Sequence, residues 1–215
     1  MDRFTSAIET FDHAIERSRQ MITLFDALNA LRPNAAANDD ALRSAYFLAV
    51  SSFDFFVHEL AAIEAKFRFS TGIATRNIKL PMEIMTIQDQ DDRVSAAERC
   101  VRESNSYKAF VDPAKLGELL SCYCEKPWNR LCELVNAGAA GARPAEDIKG
   151  QLKSIWKRRN QIAHEADVNP FLAGVSLWPI DKNDTIITID FIAKLGAGVP
   201  VVIAGNLGEA AEVDA

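Results

Sequence analysis

Residues 156–167, WKRRNQIAHEAD, place Arg159, Asn160 and His164 in one short charged stretch of a chain that has only three histidines. Cutting RNA without a metal calls for three groups: a base titrating near neutral pH to take the 2′-hydroxyl proton, a cation on the phosphate, and a polar group to orient them. Histidine titrates in that range. Arginine offers a planar fork of donors that matches phosphate oxygens and stabilises charge developing at phosphorus, and Asn160 can hold the imidazole or the phosphate in register. Lys153, Lys157 and Arg158 stand beside this set and are the expected grip on flanking phosphates. The competing reading is a solvated helix face with a capping histidine and an ion-paired arginine.

Helical geometry sharpens the choice. At about 100° per residue, Ile148, Leu152, Ile155, Ile162 and Ala166 share one stripe, with Arg159 near its middle. A guanidinium inside an apolar stripe must meet an acid or line an opening that a ligand fills, because desolvating it alone costs several kcal/mol. Asp54, four residues before His58 on another predicted helix, is the candidate acidic partner; Asp54, His58 and Glu59 are candidate supporting residues. Arg159 and His164 lie about 140° apart on an undistorted helix. They work side by side only if the helix ends or bends near His164, if the arginine's length bridges the gap, or if two copies of the motif assemble one site.

The 215 residues suffice for one sizeable core, and the reading is a single domain over 1–205 followed by a disordered acidic tail over 206–215. The net charge of −6 excludes a global basic field, so any contact with nucleic acid must be local. Cys100, Cys122, Cys124 and Cys132 lack the spacing of a structural zinc site and read as free thiols. No phosphate-binding glycine loop or dinucleotide fingerprint occurs, and His13, His58 and His164 are too scattered for a metal cluster; no cofactor and no metal is expected. Met1-Asp2-Arg3-Phe4 lacks a basic start followed by an apolar run, and no stretch reads as 18 apolar residues, so a soluble cytoplasmic protein without a membrane partner is expected.

The elements that must carry these residues are helical. Phe4, Ile8, Phe11, Ile15, Ile22 and Phe25 recur at spacings of three and four, with polar Ser18 in the series, and predict a helix of about 25 residues ending before Arg32-Pro33. A second helix, opened by Asn38 or Asp39, runs to about Phe69 and stops at Thr71-Gly72. Phe47, Leu48 and Phe55 fall off its core stripe, so it must be covered on two faces, as a central helix or in a dimer interface. Residues 70–90 predict only short structure. Further helices are expected over 91–104, from Pro113 to Cys124, through Trp128–Val135, and from Pro144 to His164 after a Gly/Ala-rich linker at 136–144. A last helix capped by Asp184 has an uncertain end around Gly196, Gly198 and Pro200, where Val199–Ile203 could be extended. The class is all-α.

RNQIAH (159–164) resembles the motif of the HEPN superfamily, Arg-x4–6-His with a polar residue after the arginine. The likeness is closest to the RiboL-PSP-HEPN family, through LAVSSFDFFVHEL (48–60), KRRNQIAHEADVNP (157–170) and WPID (178–181), in that order. That resemblance implies a HEPN-type bundle with long antiparallel helices, pairing as a homodimer that brings two motifs into one cleft. It implies metal-independent endoribonuclease activity on an RNA substrate, typical of toxins and antiphage defence, with an antitoxin or defence-system protein as a further partner. Arg159 and His164 would be the catalytic pair with Asn160 assisting, and Asp54, His58 and Glu59 match family positions as contributors. Two features depart from the pattern: the overall acidity, and the glycine-rich KLGAGVPVVIAG (194–205). Some HEPN proteins are binding modules that never cut.

Overall fold

The computed structural model describes residues 2–138, 141–172 and 176–205; the tail expected to be disordered, 206–215, lies outside them. Among the described residues all regular structure is helical, apart from one isolated β-bridge between Val168 and Leu177. The helices are α1 (Thr5–Leu31), α2 (Asp39–Thr71), α3 (Gln90–Asn105), α4 (Pro113–Leu120), α5 (Pro127–Asn136), α6 (Ala145–His164) and α7 (Lys182–Ala204).

Helices α1 and α2, both predicted by the periodicity, pack as an antiparallel pair, the arrangement the family resemblance implies. Phe11, Ile15 and Ile22 are buried, and buried Ser18 satisfies its hydroxyl by donating to the Ala14 carbonyl at 2.9 Å. Arg3 at the start of α1 meets Glu64 near the end of α2; the same carboxylate accepts from Arg68 Nε at 2.7 Å, so no charge in this buried set is left alone. Asn38 does not cap α2. Its amide donates to the Arg32 carbonyl and Asn29 Oδ1, tying the turn between the two helices instead.

Helix α7 runs antiparallel to α1, as Lys182–Asp26 and Arg19–Asp190 ion pairs at 2.6 and 3.1 Å show. Its cap is Asp181, whose carboxylate accepts from Asn183 N and Asp184 N, not Asp184 as expected. Nor does it end at its glycines: it continues through Pro200 to Ala204. A Cβ at Gly196 would overlap the Phe11 ring, and one at Gly198 would crowd Leu131, so these glycines are sites of close helix packing rather than of fraying. Phe11 in turn stacks on Phe56, with ring centroids 4.5 Å apart. Of the alternatives left open for 199–203, the stretch is helical and not extended.

Helix α4 is shorter than expected, stopping at Leu120 because Cys122 N and Tyr123 N bond three residues back and Lys126 adopts a left-handed conformation. Contrary to the reading of the apolar runs, the helical stretch Ala36–Thr71 and α7 are both long and apolar enough to cross a membrane; at least half of each is buried inside the bundle. They form its centre, and α6 crosses α2, with Tyr46 Oη donating to the Ile155 carbonyl.

Candidate functional site

Ile148, Leu152 and Ile155 bury one face of α6 and fix its rotation. The helix then ends sharply at His164, for a reason that lies beyond it. Ala166 and Asp167 both take left-handed conformations (φ 49° and 56°), folding the chain back so that Asp167 N donates to the Gln161 carbonyl at 3.1 Å. The Asp167 carboxylate, 1% exposed, accepts from Arg43 Nε at 2.7 Å and from both terminal nitrogens of Arg158, one of them at 2.9 Å. Arg43 and Arg158 also donate to the Trp178 and Pro179 carbonyls, and Asn169 N bonds Ser176 O at 2.7 Å. The stretches ADVNP and WPID are thus pinned against α2 and α6, and the position of His164 at the helix end depends on them.

Arg159 lies half-buried on the stripe where the wheel puts it. Its expected acidic partner is not Asp54: among the described residues Arg159 meets no carboxylate. It reaches Ser51 Oγ at 3.3–3.4 Å, donates to its neighbour Asn160 Oδ1 at 3.2 Å, and stands 5.1 Å from the centroid of the Phe47 ring. The guanidinium therefore rests on the side of α2 that carries Ser51 and Phe47, the latter 37% exposed. His164 is exposed at the end of α6, and the helix is regular up to it. The helix therefore ends at His164, one of the arrangements the sequence allows, without a bend before it.

The supporting residues divide. Asp54 accepts from Phe110 N at 2.6 Å. Burial raises its pKa, opposed by that hydrogen bond and by the nearby charges of His58 and Arg159. His58 bonds the Lys108 carbonyl at 3.1 Å and packs on the Phe110 ring at 4.5 Å. Glu59 pairs with Arg102 of α3. Asp54 and His58 thus hold the 106–112 segment beside the arginine, while Glu59 joins two helices.

Lys153 and Lys157 are exposed on α6 and make no ion pair among the described residues. Arg158 differs from them, being held by Asp167. Ser51, Arg43 and Asp167 were not singled out by the sequence, and Phe47 was noted only as lying off the core stripe of its helix; a charged Arg43 between buried Leu42 and Ala45 was the available signal. The four cysteines are free, and burial raises the thiol pKa values of Cys122, Cys124 and Cys132. Among the described residues no three His, Cys, Asp or Glu side chains gather as a metal site.

The family model described as RiboL-PSP-HEPN matches residues 12–199, which take in every site residue named above. No curated protein and no solved structure matches the chain.

Proposed function

The chain belongs to the RiboL-PSP-HEPN family, and from that premise we propose that it is a homodimeric endoribonuclease that cleaves RNA without a metal. The observation that carries the reading is Arg159: a half-buried guanidinium, unpaired with any described carboxylate, set on Ser51 and Phe47 at the rim of an uncovered helix face. A phosphate supplies the missing anion. His164 takes the 2′-hydroxyl proton, and the freed oxygen attacks the adjacent phosphorus. Arg159 neutralises charge on the non-bridging oxygens. The 5′ oxygen leaves with a proton supplied by water, to which His164 afterwards returns the one it took, giving a 2′,3′-cyclic phosphate and a 5′-hydroxyl; one arginine and one histidine suffice. Asn160 orients the guanidinium through its Oδ1, and Lys153 and Lys157 hold flanking phosphates, with Arg158 adding its field from within its ion pair.

Pairing of two copies suits a regular helix that points Arg159 and His164 apart. Phe47 beside Arg159, together with exposed Phe55 on the same helix, supplies apolar surface for pairing. The cellular role proposed is a cytoplasmic toxin or antiphage-defence nuclease restrained by a partner protein. The net charge of −6 favours a second reading, a non-catalytic HEPN module that binds RNA, a nucleotide or a protein.

Incubation with mixed RNA in EDTA separates them. The nuclease reading expects cleavage with cyclic phosphate ends by the parent and a loss of at least about 100-fold in Arg159→Ala and His164→Ala. A parent as inert as both variants contradicts it.

A further inference from the structure

A cavity of about 410 Å³ opens between the 77–79 segment, the end of α3, and α4. Lys79, Lys108 and Lys115 line it, against one carboxylate, Glu118. In a chain of net charge −6, that is a local excess of positive charge. Lys115 is partly neutralised by Glu118 at 3.0 Å, and Lys108 bonds the neutral Asn105 side chain at 2.9 Å. Lys79 makes no ion pair among the described residues. The lining mixes polar and apolar surface; buried Phe110 belongs to it, as does Tyr107, 81% exposed, whose ring centroid lies 6.0 Å from Lys108 Nζ. The size is that of a small-molecule site. Ammonium groups suit phosphate as point charges, and an exposed aromatic ring beside them suits a base.

We propose that this cavity binds the phosphate and base of a nucleotide, and that the 106–112 segment carries its occupancy to the row of polar residues beneath Arg159. The wall of the cavity and the lock on that row are the same residues. The Lys108 carbonyl holds His58 at 3.1 Å, and Phe110 donates its N–H to Asp54 while its ring packs on His58. A ligand drawing on Lys108 and resting on Phe110 presses on both contacts. This inference concerns a second site and does not depend on the nuclease reading.

Alkylation of the full chain by iodoacetamide, resolved by peptide mass spectrometry, tests binding. Cys122 lines this cavity, whereas Cys124 lines another and serves as the internal control. ADP at about 1 mM is expected to slow alkylation of Cys122 by about fivefold and to leave Cys124 unchanged. Adenosine, lacking phosphate, should not protect, and the Lys79→Glu/Lys108→Glu double variant should lose the protection, as should the milder Lys79→Gln/Lys108→Gln. Protection by short single-stranded RNA but not by ADP supports the site and assigns its nucleotide to a strand. No protection by either, equal protection by adenosine, or undiminished protection in the lysine variants overturns it. With three histidines in the chain, ring-proton NMR reads the link: ADP should move the His58 signals and leave His13 in place, and a stationary His58 in ADP-protected protein overturns the link.

Discussion

Replacing Asp167 with alanine removes the one carboxylate that holds both Arg43 and Arg158, whose side chains are 10% and 20% exposed; Arg158 is left without an acid, and Arg43 keeps only the exposed Asp40 at 3.3 Å. Breaking a buried pair from one side costs about 3–5 kcal/mol, because the remaining charge stays desolvated without a partner. Arg158→Ala leaves Asp167 paired with Arg43, so it should cost about 1–2 kcal/mol. The double variant Arg158→Ala/Asp167→Ala should cost about 1–3 kcal/mol less than the two single changes added together, since each single change removes the same bonds. Urea unfolding followed by far-ultraviolet circular dichroism measures all three, read from the midpoint at constant slope. A buried pair is poorly screened, so the values should hold in high salt. Hydrogen exchange of the 165–172 amides should accelerate in Asp167→Ala before the core opens. A cost below about 1 kcal/mol for Asp167→Ala, or strict additivity with Arg158→Ala, refutes the idea that this ion pair fixes the end of α6.

Three further outcomes follow from the same structure. Gly196→Val places side-chain atoms in the space of the Phe11 ring and should lower stability by about 1–3 kcal/mol in urea unfolding, whereas exposed Gly150→Ala, with open space around it, should not. For Asp54, burial raises the folded-state pKa above its unfolded value, so its contribution to stability is present below the unfolded pKa and is lost as pH rises through the folded one. Asp54→Asn keeps an acceptor for Phe110 N without the charge; relative to the parent it should therefore gain stability as pH rises past the unfolded-state carboxyl pKa of about 4, and a relative loss on that rise is the contrary result. Ser51→Val removes the hydroxyl against which Arg159 rests and should lower RNA cleavage by about tenfold with stability changed by less than about 1 kcal/mol.

The long helices were legible because their apolar residues recur at the helical period, and the stretches around Asp112-Pro113 and Gly72 announce their own ends. The errors lie where a tertiary partner decides. Pro200 and two glycines argue locally for a frayed end, but Phe11 and Leu131 fill the space beside Gly196 and Gly198 and keep α7 straight. Asp54 looked like the natural acid for Arg159, yet its partner is a backbone N–H 56 residues away, which helical spacing cannot reveal. The Arg159–Asn160–His164 set was legible as chemistry, and Arg159 sits on its predicted stripe. That Arg158 serves the turn after His164, unlike adjacent Lys157, depends on a chain reversal at Ala166 and Asp167 that no glycine marks.

The central claim is that one cleft takes its arginine and its histidine from two copies of the chain. The direct measurement is RNA cleavage in EDTA by a heterodimer of Arg159→Ala and His164→Ala chains, isolated through two different tags and compared with each homodimer. Pairing across copies predicts a heterodimer with clear activity between two inert homodimers. A heterodimer as inert as both, or a parent that cleaves while sedimenting as a 23.7 kDa monomer, contradicts it.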